Sequence, residues 1–560
     1  PEDWAMTQIG LGAAYIDRIR RDKAENIEQA IEHYQQALQV YTREDFPEDW
    51  ARIQIGLGAA YIDRIRGDKL ENIEQAIEHS QQAEQVYTRE DFPVDWATIQ
   101  LNLGNSYIDR IKIDKAKNIE QAIEHCQLAL QVYTREAFPT DWAMVHVNLG
   151  VAYIDRIRGD KAENIEQAID HFLQALQVYN HNDFPTDWAM VQLDLGAAYI
   201  EHIQGDKAEN IEKGIEHCQQ ALQVYTRGDF PTDWALIQDN LSEAFINRVQ
   251  GIESDNIKQA IEHCQLALHV YTPATYPLQC RKMGSRLGDI YFDSQQWIKA
   301  SESYQKAMAS ASIIYQSSLF LTNRNVELKA NGDLYHRAAY ASAKFGRLEE
   351  AVVTLERGRA RRLGEALAQD RADLEDVMAL DEKTFLNFQR NSMRVRMLES
   401  ADMGIEYTNS QNRVALRNEL SKARKDFDET IAIIRSLPNH DKFLVEPEWE
   451  DISDVFKNGK APLVYLVTTP VGSLALIIHT KGTIPSIESI WQDELKEKDL
   501  EDFYRKWSGE YKYLKSDYIR FFNAIEEITK NLWNALIGQV IGYLSDKHDR
   551  GERQTEKRRY

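Results

Sequence analysis

The chain has 560 residues, with 66 Lys and Arg against 89 Asp and Glu, a formal net charge of −23 and an apolar content of 43%. Such acidity argues against non-specific binding to nucleic acid or anionic lipid, so no direct nucleic-acid partner is expected. Four Cys are too few for a disulfide framework and fit a reducing, cytoplasmic setting; no run of about 18 apolar residues is present to cross a membrane.

From its first residues the chain repeats itself. Phe-Pro-x-Asp-Trp begins at Phe46, Phe92, Phe138, Phe184 and Phe230, each time 46 residues on, with a weaker echo at Tyr276-Pro277. Trp4 belongs to an earlier copy that lacks its Phe, so the opening falls inside a repeat and sequence before Pro1 is expected. Six copies then span residues 1–275. Each reads as two helices. In residues 46–91, Asp49 is expected as N-cap after Pro47. Trp50, Ile53, Leu57, Tyr61 and Ile65 follow at helical spacing as one apolar face. Gly67-Asp68 breaks that helix, and Asn72 is expected to cap the second with Gln75 as its capping-box partner. Ile73, Ala76, Ile77, Ser80, Ala83 and Val86 form the second apolar face.

Leu57-Gly58 with Tyr61, and Ala76 with Ala83, resemble the signature of the tetratricopeptide (TPR) family. The extra length over the family's repeat of about 34 residues divides evenly between the two connections. The resemblance implies a right-handed α-solenoid in which the first helix of each copy lines a concave, ligand-binding face. The matching positions are Met6, Ile9 and Ala13, then Arg52, Ile55 and Ala59, then Thr98, Leu101 and Asn105. The later copies supply Met144, Val147 and Val151, then Met190, Leu193 and Ala197, then Leu236, Asp239 and Glu243. The Lys/Asn carboxylate clamp of chaperone-binding members is absent, so a C-terminal acidic peptide is not the expected ligand. Two readings of the mostly apolar face stay open: a groove for a protein or peptide segment such as an amphipathic helix, or a core layer buried by tight winding. The Trp of each motif, Trp50, Trp96, Trp142, Trp188 and Trp234, is expected to be largely buried.

Other periodic residues call for structural roles. His33, His79, His125, His171, His217 and His263 recur at the same spacing, and Cys126, Cys218 and Cys264 follow three of them. The Cys position holds Tyr34, Ser80 and Phe172 in other copies, which marks a packing slot, so no metal and no cofactor are expected. Asp17-Arg18, Asp63-Arg64, Asp109-Arg110 and Asp155-Arg156 are expected to pair between copies.

Residues 276–365 read as two repeats of the shorter kind. Leu287-Gly288, Tyr291, Ala300, Tyr304 and Ala307 match the family pattern without insertion, and Gly346, Ala351, Leu355 and Gly358 form a degenerate eighth copy. Arg357, Arg359, Arg361 and Arg362 are either a nucleic-acid or acidic-partner patch or the cationic end of a helix. A helical connector is expected over 366–445, with a hairpin over 376–436 turning near Asn409–Asn412. The last region, 446–560, changes to strands: Leu463–Thr469, a turn at Pro470–Ser473 and a return strand Leu474–His479. Helices around Asp499–Gly509 and Ser516–Leu544 follow.

Leu355–Arg361, Ile434-Arg435-Ser436-Leu437-Pro438, Val464–Thr469 with Gly472-Ser473, and Leu532-Trp533 resemble the CHAT family, the caspase-like domain that follows TPR arrays in bacteria. The resemblance implies that 446–560 is the first part of an α/β caspase-like domain, that the parent is a cysteine endopeptidase with a His–Cys dyad, and that the array contacts a defence effector complex. No Cys follows Cys280, so this chain is expected to lack a catalytic dyad and peptidase activity. A purely structural or self-associating solenoid is the remaining alternative.

Overall fold

The computed structural model describes residues 1–545 except 17, 19–22, 68, 111–113, 203–204, 318–332, 367–371, 405–409, 439, 442, 446, 459–461, 482–483, 512–529 and 531–532. They form two compact units, Pro1–Tyr276 with Lys383–Ile433, and Pro277–Glu382 with the residues from Ile434 onward.

The first unit opens with six helix pairs: α1 (Glu2–Ile16) and α2 (Lys23–Ala37), α3 (Pro47–Ile62) and α4 (Lys69–Glu84), α5 (Pro93–Asp109) and α6 (Lys115–Ala129), α7 (Pro139–Asp155) and α8 (Lys161–Ala175), α9 (Pro185–Glu201) and α10 (Lys207–Ala221), α11 (Pro231–Asn247) and α12 (Glu253–Ala267). Each helix packs on the next in sequence, and the first helices of successive copies also touch. This is a TPR-like solenoid.

The helix starts differ from the sequence expectation. Pro47 is already the first residue of α3 and Phe46 its N-cap, a pattern kept at Phe92, Phe138, Phe184 and Phe230. Proline has no N–H to leave unpaired there, and its fixed φ suits the first turn. Asp49 is therefore not the cap; its carboxylate lies in the first turn, where the helix dipole favours it. The second helix likewise begins at Lys69, before Asn72. In the third, fourth and fifth copies an Asp holds the cap position, whereas the sixth has Ile252 there and no side-chain cap. Asp160 accepts from the Ala162 and Glu163 amides at 2.9 and 3.1 Å, and Asp206 from Ala208 and Glu209 at 2.9 and 3.2 Å. Asn72, only 2% exposed, instead turns its amide back to the carbonyls of Arg64 and Arg66, at 3.2 and 2.9 Å. It thus ties down the loop in which Gly67 takes φ +88°, a left-handed conformation that glycine tolerates.

The apolar faces read from sequence form the core. Ile53, Leu57, Ile73, Ala76 and Ala83 are all buried. The tryptophans are a partial exception: Trp96 is buried at 9%, while Trp50, Trp142, Trp188 and Trp234 are half-buried. Near the helix start they reach the edge of the layer, and Arg43, Arg89 and Arg227 cover the faces of Trp50, Trp96 and Trp234 at 5.5–5.8 Å.

The chain continues in the second unit with α13 (Pro277–Asp293), α14 (Trp297–Ser317), α15 (Leu334–Lys344), α16 (Leu348–Ala366) and α17 (Ala372–Leu380). It returns to the first as a hairpin of α18 (Glu382–Gly404) and α19 (Ser410–Arg435). Phe388 stacks on Phe427 with centroids 5.2 Å apart, and Arg394 pairs with Glu419 at 2.9 Å and Asp426 at 3.2 Å. Arg424 donates to the carbonyl of Ala274, joining the hairpin to the end of the repeats. Part of the expected turn lies outside the described residues.

In the second unit, α20 (Trp449–Asn458) precedes an antiparallel sheet of β1 (Leu463–Thr469), β2 (Gly472–Lys481) and β3 (Ile484–Gln492) in the order β1-β2-β3. Tyr465 pairs with Leu476, and Leu476 with Ser489. The third strand escapes the sequence reading because Pro485 and the polar Ser486, Glu488 and Ser489 interrupt its apolar pattern; proline is tolerated at such an edge. Helix α21 (Glu497–Tyr511) follows, and Trp533–Ile537 is a π-helical turn. Most of the expected Ser516–Leu544 helix lies outside the described residues. Among the described residues no helix is long and apolar enough to cross a membrane.

Candidate functional site

Residues 46 apart take the same place in successive copies, so the first helices present rows. One row is interior: Ile9 is 9% exposed, Leu101 5%, Val147 4%, Leu193 2% and Asp239 4%, while Ile55 is half-buried. Leu101 shares a core with Ile119 and Val145, and Val147 with Phe172 and Val191. These side chains form a core layer and not an open apolar floor. The reason is that neighbouring first helices touch, so the side chains between them interlock.

The adjacent row is accessible. Met6 is 46% exposed and Met144 40%, Arg52 is exposed, and Thr98, Met190 and Leu236 are half-buried. A third row is mixed: Ala13 is exposed, Ala59, Asn105, Ala197 and Glu243 are half-buried, and Val151 is buried. Beside the accessible row stand Ala5, Ala51, Ala97, Ala143, Ala189 and Ala235, each 0% exposed and identical in all six copies. The accessible row itself reads Met, Arg, Thr, Met, Met, Leu. Packing dictates one residue type at the first position and none at the second.

Polar contacts set the edges of this face. Tyr87 donates to the Glu48 carbonyl at 2.7 Å, closing the end of a second helix onto the start of its own first helix. Tyr41 and Tyr179 repeat the bond at 3.2 and 3.3 Å. Burial, and then nearby carboxylates led by Asp49, push the Tyr41 hydroxyl above its ordinary pKa. Thr98 shares a hydrogen bond with Tyr133 at 2.7 Å, and Arg52 pairs with Asp49 at 3.3 Å.

The periodic His and Cys are engaged in packing. His33, His79, His125, His217 and His263 each place Nδ1 at 2.6–2.7 Å from the amide oxygen of Gln8, Gln54, Gln100, Gln192 or Gln238. Sequence reading missed this pair, although its signal is present as a fixed 25-residue offset between Gln and His. The fourth copy breaks the pattern: His146 replaces Gln, and its Nδ1 lies 2.9 Å from that of His171. Burial and then His171 lower the His146 pKa to about 4. Cys126 and Cys218 press on Gly104 and Gly196, where an added Cβ would sit 2.6 Å from each sulfur. Burial pushes both thiols up to about 12, so they are poor nucleophiles and poor metal ligands at neutral pH. Among the described residues no three His, Cys, Asp or Glu side chains gather as a metal site.

The charge ladders do join copies. Arg64, Arg110, Arg156 and Arg248 each fork onto Glu28, Glu74, Glu120 or Glu212 of the preceding copy, the closest contacts being 2.7–2.9 Å. Lys23, Lys69 and Lys115 reach forward to Asp63, Asp109 and Asp155 at 3.4, 2.8 and 3.0 Å. In the second unit, Arg357 donates to the Pro447 carbonyl at 3.4 Å and Arg359 pairs with Glu356 at 3.2 Å. The side chains of Arg361 and Arg362 lie outside the described residues. His479 faces Glu488 of β3 at 3.0 Å.

No protein-family model matches the chain, and no curated protein matches it. Among solved structures, the apo form of RapI is similar at a TM-score of 0.37 and 14% identity, over 55% of this chain and 97% of that one. A Rap protein complexed with competence and sporulation factor gives 0.35 and 13%, over 68% and 99%. Yeast Tom70 gives 0.21 and 13%, over 81% and 94%. Likeness at this level carries no functional argument; helix pairing, core and caps of the chain itself define the repeat fold.

Proposed function

We propose that the chain is a protein-interaction scaffold whose repeat array docks a protein or peptide segment along the accessible first-helix row. The observation that carries this reading is the contrast between Ala143, invariant among copies and fully buried, and Met144 beside it, variable among copies and 40% exposed. A row whose residue type varies among copies, yet holds the apolar Met6, Met144, Met190 and Leu236 at exposed or half-buried positions, suits adaptable apolar anchoring. Glu243, half-buried in the third row, sets a carboxylate beside its last copy. The test places a photo-cross-linking amino acid at Met144 or, as control, at Leu173, a second-helix residue that is also 40% exposed. Met144 should yield a discrete protein adduct that falls at least about fivefold with Met190→Glu, as expected for loss of a buried anchor. Equal adducts at both positions, or none at Met144, overturn the reading.

A finer reading makes the chain the recognition half of a TPR–CHAT protein, with a caspase-like cysteine endopeptidase as parent and a bacterial defence effector complex as trigger. Its support is that two CHAT-like segments meet. Tyr465 donates to the Glu356 carboxylate at 2.5 Å, and the Arg359 guanidinium lies 5.7 Å from the Tyr465 ring centroid. With no Cys after Cys280, this reading needs a nucleophile beyond the 560 residues. Residues 1–560 should cleave nothing in a panel of peptide and protein substrates; thiol-sensitive turnover by them alone contradicts it.

A further inference from the structure

Helix α18 has two apolar faces. One turns inward, with Phe388 and Val395 at 0% and 1% exposure. The other runs along Leu386, Met393 and Met397, and there Leu386 is 52% and Met393 41% exposed. At 1.5 Å per residue this second stripe is about 16 Å long, three helical turns. It looks into a groove of about 800 Å³ whose opposite wall is the loop Ile65–Gly67 of the second copy.

The groove is basic in an acidic protein. Arg66, Arg390, Arg394 and Lys422 line it against one carboxylate, Glu419, while the whole chain carries −23. Arg66 is paired with Glu25 at 3.0 Å, and Arg394 with Glu419 and Asp426. Arg390 donates to the Asn387 side chain at 3.0 Å and, like Lys422, meets no carboxylate among the described residues. Both are exposed.

We propose that this groove docks a helical segment of a partner protein that has a Leu- or Met-type apolar face and an acidic flank. Apolar anchors spaced by three and four residues match the open stripe, and Met side chains on its floor adapt to such anchors. These two cations, which meet no carboxylate among the described residues, supply the charge complement for the flank. A second copy of this chain would bring the same cations to the same place. A bilayer surface cannot follow a floor walled by a loop. This groove is separate from the accessible row of the first helices.

The test uses the whole chain and two synthetic 18-residue amphipathic peptides, designed with one shared Leu/Met face and with either Glu or Lys on the flanks, read by fluorescence anisotropy. The Glu peptide should bind saturably, and Arg390→Glu with Lys422→Glu should weaken it about tenfold or more, as for loss of complementary charge at an interface. Met393→Asp should weaken it as well. The thermal midpoint should stay unchanged in the charge pair, whose side chains are exposed, and Met144→Glu with Met190→Glu should leave peptide binding intact. Equal or tighter binding of the Lys peptide overturns the proposal. So does Glu-peptide binding indifferent to these variants, absence of saturable binding, or preference for phosphatidylserine vesicles over the peptide.

Discussion

His146 stands where five other copies have Gln, and that one change makes a pair which needs at least one of its two imidazoles to stay neutral. One imidazole must donate and the other accept across 2.9 Å, and a proton on both removes the acceptor. The His146 pKa is lowered to about 4 by burial and then by His171, from an ordinary value of 6.5. Between those two values the unfolded chain binds a proton that the folded chain refuses. Stability therefore falls as pH drops from about 6.5 towards 4 and levels off below. His146→Gln restores the hydrogen-bond pattern of the other copies. It should change thermal unfolding little at pH 7.5 and stabilise the protein at pH 5 by on the order of 1–2 kcal/mol. Equal denaturation midpoints for the two proteins at pH 5 would sink this account. The His–Cys rows were legible in the sequence as packing positions, because Tyr34, Ser80 and Phe172 share the Cys slot. The Gln–His bond was not, since nothing in one copy says that residues 25 apart face each other across two helices.

Helix against helix, the close approach within the first five pairs depends on a glycine of the first helix and whatever fills the slot opposite, and in the sixth Ser242 takes the glycine's place. An alanine Cβ at Gly150 would lie 2.4 Å from the Phe172 ring, whereas one at Gly10 would meet nothing within 4 Å. Gly150→Ala should therefore cost about 1–3 kcal/mol by overpacking. Gly10→Ala should be neutral or gain up to about 1 kcal/mol from helix propensity. Chemical denaturation of both variants separates the two effects, and similar values would show that the slot relaxes freely. The existence and pairing of these helices was readable from apolar spacing alone, as Ile53, Leu57, Ile73 and Ala76 show. Their starts were not. Pro47 both begins the helix and forbids the capping pattern assumed for Asp49, while Asn72 looks like a cap in sequence but serves the loop from inside the helix.

Across the whole molecule, the repeat period showed which residues share a row, but not which row faces outward. Leu101, Val147 and Leu193 are as apolar as Met144 and Met190, and only the contact between neighbouring first helices assigns the former to the interior. The hairpin shows the same limit. Its helices were legible, but its compact grouping with the repeats, through contacts such as Arg424 to Ala274, depends on residues 150 apart. The junctions between copies have a consequence of their own. Tyr87 fastens a copy to itself, whereas Arg110 grips Glu74 of the copy before, and the same two devices recur along the array. Any cassette that carries the Arg fork can thus follow any other without a mismatch at the seam. Unequal recombination can lengthen, shorten or reorder the array while every joint stays intact, and the docking row changes its reading as the cassettes are shuffled. The fifth cassette is the exception: it presents His202 to Glu166 at 3.5 Å in place of the Arg fork, and so marks the one described seam that is keyed differently.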